Sequence, residues 1–65
     1  MNDNAVIISL NDAATLTSLS RAAINRHRDA GNFPIPLQLG ERRIGFVKTE
    51  VLAWIEQRIA ARQAA

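Results

Sequence analysis

Arg21 and Asn25 stand four residues apart, one helical turn, with Ser20 just before them and Ala22 between. A guanidinium forks onto phosphate oxygens or onto guanine N7 and O6. A carboxamide donates and accepts at once, which suits the edge of adenine. Ala22 on the same face leaves room for a thymine methyl. Ser20 offers a hydroxyl and the unpaired N–H groups of a helix start, a combination that attracts phosphate. Arg26 and Arg28 flank this group and can hold a phosphate backbone, or one of them can lay its stem across the core. A second basic pair, Arg42 and Arg43, follows Gly40 and Glu41 and suits a minor groove or its phosphates, one side chain pointing down and one away. For each of these residues the plain alternative is a solvated side chain that touches nothing.

The charge distribution bears on that choice. The formal net charge is only +2. Between Ser20 and Lys48, however, six cations (Arg21, Arg26, Arg28, Arg42, Arg43, Lys48) face Asp29 and Glu41, a local +4. The remainder sets Arg58 and Arg62 against Asp3, Asp12, Glu50 and Glu56, a local −2. Basic charge is thus concentrated mid-chain and is almost all arginine, the composition expected of a nucleic-acid surface. A protein-binding face would want apolar anchors among those arginines.

Other chemistries find little support. Cysteine is absent, which removes disulfides, thiolate metal sites and a thiol nucleophile. His27 is the single histidine and has no Cys, His or Glu at ligand spacing, so no metal site is expected; packing against the wing or a phosphate contact suits it better. Ser9, Ser18 and Ser20 have only His27 as a base, the carboxylates are scattered, and Gly31, Gly40 and Gly45 match no phosphate-loop spacing. The expectation is a chain without catalytic residues or cofactor, not an enzyme. No apolar stretch approaches the roughly 20 residues of a membrane span, and no export signal is evident. A cytoplasmic protein, associated with the nucleoid when bound, is expected.

Sixty-five residues allow one small domain, 1–65, in which residues 1–4 are polar and expected to be disordered. Val6–Ile8 is β-branched and suits a short edge strand. Ser9 and Asp12 have capping-box spacing and open a helix from Leu10 to about Leu16. Thr17 and Ser18 turn the chain, and Ser20 caps a second helix reaching about Ala30. Leu19, Ala23 and Ile24 face its core side. Gly31 stands where a left-handed residue ends a helix, and Pro34 stops it resuming. Leu37 and Leu39, then Ile44 and Phe46, alternate as two strands around the tip Gly40–Arg43. A last helix runs from Thr49, as cap, to about Arg62, with Val51, Leu52, Ile55 and Ile59 as its apolar stripe and Trp54 turned inward. The fold class is mainly α with a small β-hairpin: a winged helix-turn-helix with a two-stranded wing and a C-terminal helix.

Four segments carry a resemblance. They are Leu16-Thr17-Ser18-Leu19-Ser20-Arg21-Ala22-Ala23-Ile24, Gly31-Asn32-Phe33-Pro34-Ile35-Pro36, Leu39-Gly40-Glu41-Arg42-Arg43-Ile44-Gly45-Phe46 and Glu50-Val51-Leu52-Ala53-Trp54-Ile55. Together they closely resemble the AlpA family of small prophage regulators, relatives of MerR-like winged helices and of phage excisionases. The similarity covers about Ser9 to Arg62. It departs from the family at three positions, where Gly is common for Ser18, an aromatic for Asn25 and Trp for Phe46. The resemblance implies double-stranded DNA as partner, with the helix from Ser20 to Ala30 in the major groove. It implies either a transcriptional regulator of prophage genes or an excisionase that bends attachment-site DNA; a protein-binding inhibitor module is the remaining alternative. Self-association on adjacent DNA sites is expected, with an integrase or other recombination protein as a further partner and no membrane.

Overall fold

The computed structural model describes residues 6–63. Its elements run β1 (Ile7–Ser9), α1 (Leu10–Thr17), α2 (Arg21–Asp29), β2 (Leu37–Gly40), β3 (Arg43–Val47) and α3 (Lys48–Gln63). The disorder expected of residues 1–4 falls outside the described residues.

Helix boundaries follow local chemistry. Ser9 caps α1, its Oγ accepting the Asp12 N–H at 3.0 Å. At the other end Thr17 closes the turn: its hydroxyl donates to the Ala13 carbonyl at 2.8 Å and accepts the Leu19 N–H at 3.3 Å. Ser18 takes the left-handed conformation there, φ 62°, alone among the described non-glycine residues. Ser20 then caps α2 by accepting the Ala23 N–H at 3.0 Å. Beyond α2 the Gly31 N–H donates to the Arg28 carbonyl and the Asn32 N–H to the His27 carbonyl, a Schellman closure with Gly31 at φ 77°.

The sheet has three strands in the order β1-β3-β2, all antiparallel, so the wing gains β1 as an outer strand. Val6–Ile8 therefore pairs as expected, over Ile7–Ser9. The wing tip is the two-residue turn Glu41–Arg42. Neither residue has positive φ, so the tip lacks the primed-turn twist that suits a hairpin. A register irregularity between Gln38 and Gly40 absorbs the mismatch, and Gln38 Nε2 donates to the Gly40 carbonyl across it.

Ala13, Ile24, Phe33, Phe46 and Val51 form the buried core, one residue or more from every helix and from the wing. Phe33 meets both Phe46 and Trp54 edge-on, with ring centroids 5.4 and 4.9 Å apart. Trp54 is half-buried, turned to the core as expected. Its Nε1–H donates to the Asn32 carbonyl at 2.6 Å, tying α3 to the closure of α2. Arg58 covers its outer face at 5.0 Å.

Two expectations about α3 need correction. Thr49 is not its cap: the helix starts at Lys48 straight out of β3, and the Lys48 N–H donates to the Val6 carbonyl at 2.7 Å. The apolar stripe also divides. Val51 is buried and Ile55 packs against the core, but Leu52 and Ile59 are each 40% exposed. Leu52 lies about 100° round the helix from Val51, and every residue from Glu56 to Arg62 is exposed, so this half of α3 outruns the small core.

Candidate nucleic-acid interface

Ser9 lies opposite Gly45 in the β1–β3 pair, and Ile8 lies opposite Phe46. The next residues of α1 therefore continue toward Ile44 and Arg43. The result is a hollow of about 240 Å³ lined by Ser9, Leu10, Asn11, Arg21, Arg42, Arg43 and Ile44. Three cationic side chains from two separate parts of the chain meet the N-terminal end of a helix there. The first-turn N–H groups of α1 lack carbonyl partners within the helix, and its dipole presents positive charge at the same end. The charged side chains that line the hollow are all cationic and suit an anion, while Asp12 in the first turn of α1 offsets part of the dipole.

Arg21 is the first residue of α2 and is exposed. Arg42 belongs to the turn and Arg43 starts β3, both exposed. The sequence pattern set one of the two down and the other away. In the fold both line the hollow, because the tip is a turn and the alternation of a strand does not apply to Arg42.

The outward face of α2 carries Ala22, Asn25, Arg26 and Asp29, all exposed. The Ser20 hydroxyl oxygen is occupied by its cap, although the residue itself stays at the surface. Arg28 differs from Arg26. It is half-buried, and its Nη1 donates to Asn25 Oδ1 at 2.8 Å, so it lies along its own helix. His27 was expected against the wing, but its ring packs on α3, edge-on to Trp54 at 5.5 Å. No group of three or more His, Cys, Asp or Glu capable of holding a metal occurs among the described residues.

Ser9 and Asn11 were missed as members of the site. The capping signal placed the start of α1, but only the pairing of β1 with β3 shows that this start faces the wing tip. A larger open groove, about 830 Å³, lies beyond the C-terminal end of α2, between Gly31–Ile35 and one side of α3. Its wall includes Trp54, Arg58 and Glu50, so its charge is mixed, unlike that of the hollow.

Residues 6–59 match the family described as prophage CP4-57 regulatory protein, AlpA. The chain belongs to the AlpA family of prophage regulatory proteins. That match takes in every member of the hollow and the whole of α2, so the family assignment and the cationic site concern the same residues. No curated protein and no solved structure matches the chain. Among the described residues, no helix is long and apolar enough to cross a membrane.

Proposed function

We propose that this AlpA-family chain is a sequence-specific double-stranded-DNA-binding protein acting as a prophage-type transcriptional regulator. In this reading Arg21, Arg42 and Arg43 grip backbone phosphate at the start of α1, while Ala22 and Asn25 on α2 meet base edges in the major groove. Arg26, exposed beside them, takes a neighbouring phosphate. The convergence of three arginines from the helix and the wing on one helix N-terminus carries the proposal. Phosphate contacts set register and orientation, and base contacts from the adjoining helix set sequence.

The reading has no catalytic step. The Ser9 and Ser20 hydroxyls already accept cap hydrogen bonds, and the one imidazole packs on Trp54. The site of action is then the nucleoid in the cytoplasm. A single small module buries roughly 600–1,000 Å² on DNA, so specific binding calls for copies side by side on adjacent sites.

Selection from a randomised duplex library tests the proposal. One enriched motif is expected, its affinity falling steeply with salt. No motif, together with salt-indifferent or absent binding, overturns it and leaves the protein-interaction alternative. Footprinting the motif then separates two roles. Protection of a promoter fits a regulator, whereas protection of attachment-site DNA with a neighbouring integrase gene fits an excisionase.

A further inference from the structure

The bond between Arg28 and Asn25 fixes more than a rotamer. An arginine side chain carries N–H donors and no acceptor. The atom of Asn25 facing it at 2.8 Å is therefore the amide oxygen, and the NH₂ group is turned away. Arg28 is well placed to hold that orientation. Its Nε is screened from solvent, so the base of the fork is enclosed by its neighbours while Nη1 engages Asn25. Asn25 itself is exposed on α2, one turn beyond Arg21.

A free asparagine reads adenine by donating to N7 while accepting from N6. Arg28 takes one lone pair of that oxygen and draws it back along the helix, which turns the NH₂ donors of Asn25 outward to an incoming base. Resting on the DNA-binding reading above, we propose that Arg28 is a positioning residue that makes Asn25 select a base edge offering only acceptors, guanine N7 and O6 or thymine O4, and disfavour adenine. This reverses the expectation from residue type alone, under which the carboxamide suits adenine.

The test runs the full chain and its variants through the same randomised duplex library. The base position read by Asn25 is the one whose preference disappears in N25A. Wild type is expected to enrich guanine or thymine there, over adenine by on the order of tenfold. R28M keeps the apolar stem but loses every donor, so its Asn25 amide is free to turn. Adenine should then rise at that position to match or exceed guanine and thymine. R28K keeps an all-donor head and should retain the wild-type preference. N25D still accepts from Arg28 but offers no donor, and should lose the guanine or thymine preference. Thermal melts verify that each variant folds, and R28K with N25D carries the test if R28M does not. Adenine enriched by wild type at this position overturns the inference, as does a wild-type preference surviving in R28M or N25D. Failure of wild type to enrich any motif overturns the DNA reading itself, which is a different result.

Discussion

Ser9 and Gly45 face each other across the β1–β3 pair, and this pairing sets the start of α1 beside the wing tip. Gly45 is buried, and the pairing depends on its lack of a side chain. A Cβ built there would stand 2.6 Å from Ile7 Cγ2, 2.9 Å from Leu39 Cδ1 and 3.1 Å from the Ile8 carbonyl oxygen. The Leu39 end can move, but Ile7 Cγ2 is fixed on a branched Cβ, and it and the backbone oxygen belong to the strand that carries Ser9.

Gly45→Ala is accordingly expected to destabilise the domain by about 1–3 kcal/mol, the range for overpacking a filled interior. It should also weaken duplex binding at temperatures where the variant remains folded, since displacement of β1 shifts one wall of the hollow. Thermal melts and fluorescence anisotropy on a labelled duplex measure the two effects. A fully stable variant with unchanged binding would show that the close approach is not structural.

Arg21 and Asn25 are separable. Arg21 lies in the hollow with the wing arginines, so Arg21→Ala should weaken cognate and random duplexes alike, by about 1–3 kcal/mol. Asn25→Ala should reduce discrimination between sites while leaving random-duplex affinity nearly unchanged. Competition binding with cognate and scrambled duplexes distinguishes these outcomes.

The same two residues mark where the sequence is readable. Caps, turns and strand alternation are local, and Ser9, Ser20, Gly31 and the Leu37–Phe46 hairpin could be placed from a few neighbouring residues. One-turn spacing put Arg21 and Asn25 on one helix face and left Arg21 open between guanine and phosphate. Only the packed sheet shows that Arg21 shares a hollow with Arg42, Arg43 and Asn11. Pairing between β1 and β3 spans nearly forty residues of chain, and no periodicity encodes its register. The split stripe of α3 has a similar origin. Leu52 and Ile59 fit the helical spacing, but a five-residue buried core cannot reach them.

Ser18 supplies a stability prediction. It holds φ 62° where a side chain is strained, and the bonds made by Thr17 keep the turn closed. Ser18→Gly removes that strain but adds freedom to the unfolded chain. A net gain of about 0.5–1 kcal/mol is expected, read as a rise in midpoint on chemical denaturation. Duplex affinity should be unchanged, since neither Arg21 nor the wing moves.

Trp54 joins α3 to the end of α2 through a bond to a carbonyl, so its nitrogen and its ring can be tested separately. Trp54→Phe removes the Nε1–H donor to Asn32 and should cost about 1 kcal/mol. Trp54→Ala also removes the ring contacts with Phe33 and His27. That change should cost about 3 kcal/mol or more, enough to unfold much of a domain this small. Equal losses from both variants would show that the ring contributes nothing.

On the DNA-binding proposal, the hollow between α1, Arg21 and the wing holds DNA phosphate. The slope of log affinity against log salt concentration, measured for wild type and the Arg42→Ala/Arg43→Ala double variant on one random duplex, reports this contact. Each phosphate neutralised contributes roughly 0.9 to that slope. The double variant should bind more weakly, with a slope shallower by about one to two such increments. Identical slopes would mean that the wing arginines neutralise no phosphate and that the hollow does not hold the DNA backbone.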